Sequence, residues 1–112
     1  MKKIFIASLA VSIAMAGGFV SKHQSENVIS VKEALKLNDD AKVVLEGKIK
    51  SQIKSDKYEF ADKNGDTIVV EIDNNKWGNV TANEDTLLRI RGEVDKELTK
   101  TKIDVDSVEV VK

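Results

Sequence analysis

A small, mostly β barrel with one short helix near its start is the fold class this sequence predicts. From residue 41 onward apolar side chains recur at every second position, the period of half-buried strands. Clusters of Asn, Asp and Gly interrupt that alternation and mark turns between strands. With 112 residues, no Cys and no Pro, the chain has room for one core, which must hold without disulfide cross-links.

Residues 1–16 read as a secretory signal peptide. Lys2 and Lys3 open it, residues 4–14 carry no charge, and Ala14 and Ala16 put small side chains at the positions preceding Gly17. The apolar run ends at Val20, contains Gly17-Gly18 and has no aromatic or basic anchor at its far side. It is short for a bilayer span, so cleavage is expected and no stable membrane span afterwards. Export to the periplasm follows. Removing residues 1–16 takes two of the 18 basic residues and none of the 19 acidic ones, so the net charge moves from −1 to −3. Residues 17–27 read as a polar, flexible leader. They hold the only histidine, His23, which has no companion ligand or base near it and reads as a solvated residue.

Residues 28–112 form the expected domain. Ser30 and Glu33 have the spacing of a capping box, in which each side chain accepts from the other's backbone N–H. Val31, Ala34, Leu35 and then Leu37 follow at helical spacing, and Asn38-Asp39-Asp40 stops the helix after about two turns. Val43, Leu45, Gly47, Ile49, Ser51 and Ile53 share one side of a long first strand, with a bend or bulge expected at Gly47. Tyr58 and Phe60 share a face of the next strand. A turn at residues 62–66, with Asn64-Gly65 suited to positive φ, leads to a returning strand with Ile68, Val70 and Ile72. After an irregular Asn-rich stretch with Trp77, Leu88, Ile90, Gly92 and Val94 alternate with Arg89, Arg91 and Glu93. Residues 96–102 read as a charged turn. In the last strand Ile103 and Val105 have opposite parity to Val108 and Val110, so one residue near Asp106-Ser107 must be absorbed by a bulge. One helix and five strands, the first long enough to serve two sheets, fit a small five-stranded OB-fold barrel. An open meander or a small SH3-like barrel has the same periodicity.

The segments Tyr58-x-Phe60-x-Asp62, Gly65, Ile68-x-Val70-x-Ile72, Trp77-Gly78, Val80, Gly92-Glu93-Val94-Asp95-Lys96 and Ile103-Asp104-Val105 occur in order at compatible spacing. In these the chain resembles the bacterial OB-fold family of small periplasmic stress tolerance proteins, the YgiW/YdeI type. The resemblance reaches back through the capped helix. It departs at Ala82, where the family often has Pro. It implies an OB barrel, a periplasmic address and a role in tolerance of envelope or chemical stress, and it implies no reaction.

The residues narrow the function classes further. Nucleic acid is excluded as a partner, because that mode needs a basic groove with stacking aromatics, whereas the mature chain is acidic and Tyr58 and Phe60 share the core parity. An enzyme is excluded for want of a nucleophile with a base, a phosphate loop or a metal motif, and no cofactor is expected. A non-enzymatic binding module remains, contacting a small molecule, a glycan fragment or an envelope protein. Its candidate ligand-binding residues are Trp77, Arg89, Arg91, Asp95 and Lys96. Trp77 reads first as a plug of one barrel end and second as a platform for a flat ligand. Arg89 and Arg91 read first as cross-strand salt-bridge partners and second as anion receptors. The alternative function is divalent-cation binding by Asp95, Asp104 and Asp106, three oxygen donors near a strand junction.

Overall fold

The structure, a computed structural model, describes residues 26–112; the expected signal peptide, most of the leader and His23 lie outside the described residues. The elements are β1 (Val28–Ile29), α1 (Val31–Leu35), β2 (Lys42–Gln52), β3 (Lys57–Ala61), β4 (Thr67–Glu71), a 3-10 turn (Asn74–Lys76), β5 (Leu88–Glu97) and β6 (Lys100–Val110). Among the described residues no helix is long and apolar enough to cross a membrane.

The strands form one sheet in the order β1-β2-β3-β4-β6-β5, and β5 pairs again with β2, so the ladder returns on itself. Length and curvature of β2 make this possible. Residues 42–47 pair with β5, and residues 48–52 pair with β3. The two-residue β1, which periodicity is too short to reveal, adds in parallel beside Val44 and Leu45. The parallel β4–β6 pairing closes the ring.

Two bulges adjust the barrel. In β6 the register shifts so that Arg91 faces Ser107 and Gly92 faces Val105, leaving Asp106 as the extra residue the parity change requires. In β2 the expected bend at Gly47 is a bulge at Lys50 instead, between the pairs Ile49↔Phe60 and Ser51↔Glu59. Parity inverts after it, so Ser51 and Ile53 leave the core and Ile53 is half-exposed. Residues 96–102 are not a long turn. β5 runs to Glu97 and β6 starts at Lys100, so only Leu98 and Thr99 lie between the two strands.

The core consists of the inward set of every strand, with Leu45, Phe60, Val70, Ile72, Leu88, Ile90, Val94 and Ile103 fully buried. Helix α1 covers one end with Val31 and Ala34, both fully buried, and with Leu37 packed beside them; Leu35 instead faces out. The capping box is formed: Glu33 N–H donates to Ser30 Oγ at 3.1 Å, and Ser30 N–H donates to Glu33 Oε1 at 3.0 Å. Asp62 ties this helix to the β3–β4 turn, accepting from Val31 N–H through Oδ2 and from Asn64 and Asp66 N–H through Oδ1. Substituting Ser30 by Ala is expected to cost about 1 kcal/mol, because Asp62 still holds the first turn of the helix. Urea unfolding measures it; an unchanged midpoint contradicts the role of the cap.

Candidate functional site

The irregular segment after β4 packs on the core beside β3 and the far half of β2. The 3-10 turn is followed by Trp77, whose carbonyl accepts from Val80 N–H at 3.0 Å, and Gly78 takes a positive φ of 58° within that bend. Trp77, Val80 and Ala82 are partly buried and pack on the core. The Trp77 ring meets Tyr58 edge-on, with centroids 5.7 Å apart and planes at 84°, a geometry aromatic pairs favour. Further on, Asn83 and Thr86 lock the segment through Asn83 N–H to Thr86 Oγ1 at 3.0 Å and Asp85 N–H to Asn83 Oδ1 at 2.9 Å.

Between this segment and the far half of β2 lies a cleft of about 470 Å³. Tyr58, Trp77 and Ile49 give it an apolar floor. Ser51, Gln52 and Asn83 bring hydroxyl and amide groups to it, and Lys50 and Glu84 add one charge of each sign. Apolar surface with a few polar side chains converging on it is the composition of a small-molecule site. Trp77 is therefore both plug and lining, and the two readings of it describe one position.

The other sequence-nominated residues lie elsewhere, on the outer face of β5 and β6. Arg89 donates from Nε to Glu46 Oε2 at 2.7 Å and approaches Glu109 Oε1 at 3.7 Å. Arg91 forks onto Glu26, with Nη2 to Oε1 at 2.7 Å, and also contacts Glu109. The hydrogen bonds to Glu26 come first among the reasons the Arg91 guanidinium is held above its ordinary range, burial opposing them. Both arginines thus engage carboxylates of neighbouring strands and of the segment entering β1. That face presents a ladder of paired charges.

Asp95 and Asp104 do converge, but on an ammonium. Lys102 Nζ lies 2.8 Å from Asp104 Oδ1, 3.0 Å from Asp95 Oδ2 and 2.7 Å from Glu71 Oε1. Burial works against the Lys102 charge, yet its hydrogen bonds to Asp104, Glu71 and Asp95 outweigh that and hold it well above the usual lysine range. Asp106 does not join them; as the bulge residue it is exposed and lines a different surface with Lys42 and Arg91. Lys96 is exposed, and its backbone N–H donates to Asp39 Oδ1 at 2.8 Å. A second acidic group that parity did not single out, Asp56, Glu71 and Asp73, brings one oxygen from each within 4.8 Å of the others. Lys57 sits against two of its members, 3.8 Å from Asp56 and 3.6 Å from Glu71.

The family of bacterial OB fold (BOF) proteins matches residues 8–110. The calcium-regulated OB-fold protein CarO of Pseudomonas aeruginosa is 39% identical over 101 residues, covering 90% of this chain and 86% of CarO. Protein YgiW of Escherichia coli K12 is 40% identical over 117 residues, covering 95% of this chain and 89% of YgiW. The solved structure of the hypothetical protein YgiW from Escherichia coli superposes with a TM-score of 0.74 over 78% of this chain and 92% of that one. The telomere capping protein Ten1 of Saccharomyces pombe, 15% identical, superposes at 0.59 and shares the fold alone.

Proposed function

The chain belongs to the bacterial OB-fold family, and from that premise we propose that it is a non-enzymatic binding module of the bacterial envelope, exported to the periplasm and acting in stress tolerance. The observation that carries this reading is the cleft between the segment after β4 and the far half of β2. There the only Trp of the chain, Trp77, stands with Tyr58 over an apolar floor rimmed by Ser51, Gln52 and Asn83. An aromatic floor with hydroxyl and amide groups, and with Lys50 and Glu84 beside them, suits a small ring-shaped polar ligand such as a glycan fragment.

Because Trp77 is the sole indole, its fluorescence reports on the cleft directly. Titration with peptidoglycan fragments and anionic sugars is expected to give a saturable change with one class, matched by a rise in melting temperature. Trp77→Leu keeps an apolar plug but removes the platform. Binding measured by calorimetry is expected to weaken about tenfold in that variant, a loss of about 1.4 kcal/mol. A flat titration with every ligand rejects the reading. Divalent cations belong in the same scan, since CarO is named for calcium regulation and cation binding is the alternative function. Melting temperatures unchanged at millimolar Ca²⁺, Mg²⁺ and Zn²⁺ remove that alternative.

A further inference from the structure

A second groove, of about 900 Å³, runs along the outside of β2 where the strand passes from β5 to β3. Its charged residues divide sharply. The three carboxylates are engaged: Glu46 with Arg89, Glu33 with Ser30 N–H, and Asp62 with the backbone N–H groups of Val31, Asn64 and Asp66. The three ammonium groups, those of Lys48 and Lys50 on β2 and Lys63 in the β3–β4 turn, have no ion pair or hydrogen bond among the described residues. The same groove is bordered by Val28 and Leu87, 41% and 38% exposed, two of the few large apolar side chains the barrel leaves open to water.

We infer that this groove binds an anionic amphiphile, a monoacyl lipid whose phosphate headgroup meets Lys48, Lys50 and Lys63 while its chain lies against Val28 and Leu87. The charge pattern selects the headgroup, since the carboxylates are already bonded and the charged groups left open to a ligand are the three lysines. The apolar pair distinguishes an amphiphile from a bare anion. An extended peptide is disfavoured because the β2 edge along this groove is already paired, with β1 at Val44 and Leu45 and with β3 from Lys48 onward. The groove adjoins the Trp77 cleft, with Lys50 lining both, whereas Lys48 and Lys63 line only the groove.

The test is calorimetric titration of the purified protein with lysophosphatidic acid below its critical micelle concentration. Lysophosphatidylcholine and inorganic phosphate serve as the other arms. Saturable binding of the anionic lipid is expected, about tenfold weaker for the zwitterionic lipid and falling as salt is raised. The K48Q/K63Q double variant, changed at two exposed positions, is expected to bind about tenfold more weakly with its melting temperature unchanged. Leu87→Ser is expected to weaken the lipid without affecting any binding of phosphate. Trp77→Leu leaves this binding intact, so failure here and failure of the cleft reading are distinguishable. Equal binding of the two lipids, equal binding of phosphate, tighter binding of an acidic peptide at the same lysines, or indifference to K48Q/K63Q each overturns the inference.

Discussion

Replacing Gly47 with alanine is expected to leave little folded protein. Gly47 is the last β2 residue paired with β5, and the next residue pairs with Ala61 of β3. At that crossing the backbones approach so closely that a Cβ would overlap the Ala61 carbonyl oxygen and lie 2.9 Å from the Phe60 ring. Neither neighbour can move away. Ala61 is paired on both sides, with Lys48 and Thr67, and Phe60 is fully buried in the core. Ordinary overpacking costs about 1–3 kcal/mol, relieved by shifts of side chains. Here the obstacle is backbone, so a loss of more than about 3 kcal/mol is expected, out of a total of about 5–15 for a typical domain. For a domain of this size that corresponds to a fall in melting temperature of about 15 °C or more. Circular dichroism measures it, with Gly65→Ala as the comparison. Gly65 has a φ of +85° and open space around it, so only the backbone penalty of about 1 kcal/mol applies there. Equal melting temperatures for the two variants refute the close-approach argument.

The same glycine marks the boundary of what periodicity could say about the fold. Alternation marks the five longer strands, β2 to β6, because each has one face in the core and one in water. A bulge leaves a visible trace only when apolar residues flank it on both sides. In β6, Val105 and Val108 supply that frame, so the extra residue near Asp106 was legible. In β2 the residues after Lys50 continue as Ser51 and Ile53, which happen to keep the original parity although the strand has turned over. Ile53 therefore read as core and is half-exposed. β1 is invisible to the pattern because two residues cannot display a period. The β5–β6 hairpin was cut short because its outer residues, Lys96, Glu97 and Lys100, are charged and extend past the core.

Site residues were less legible because their meaning depends on register. The sequence marks Arg89, Arg91, Asp95 and Asp104 as outward-facing charges and cannot say which strand lies beside them. Pairing of Asp95 with Lys102, and of Glu71 with Asp104, is what brings three carboxylates around one ammonium. Lys102, placed by sequence in a turn, is the organising residue of that cluster. The packing of Trp77 is legible for a simpler reason: a single large aromatic in a polar, Asn-rich stretch is drawn onto the core.

That cluster sets the second large expectation: Lys102→Met inverts the pH dependence of stability in acid. In the native protein the hydrogen bond from Lys102 is the leading reason Glu71 is held below its ordinary value of 4.5, and Lys102 itself is held above its own. A depressed carboxylate contributes stability that is present above its unfolded value and lost as pH falls through its folded one. The native protein should therefore lose this contribution below about pH 4.5, while the Lys102 contribution is lost only in strong alkali. Methionine keeps the aliphatic stem and removes the charge. Glu71, Asp95 and Asp104 then face one another, and removing one partner of a buried pair costs about 3–5 kcal/mol. Their side chains are 26%, 30% and 48% exposed, so solvent screening reduces the expected loss to about 2 kcal/mol at neutral pH. Protonation now relieves repulsion, so between pH 6 and about pH 4 the variant should gain stability relative to the native protein. Millimolar Ca²⁺ should raise the variant's melting temperature and leave the native protein's unchanged at this cluster, because a divalent cation can replace the missing ammonium among three oxygen donors. Urea titrations at a series of pH values measure the effect. A variant whose stability falls in parallel with the native protein as pH drops would show that Lys102 is not what holds these carboxylates together.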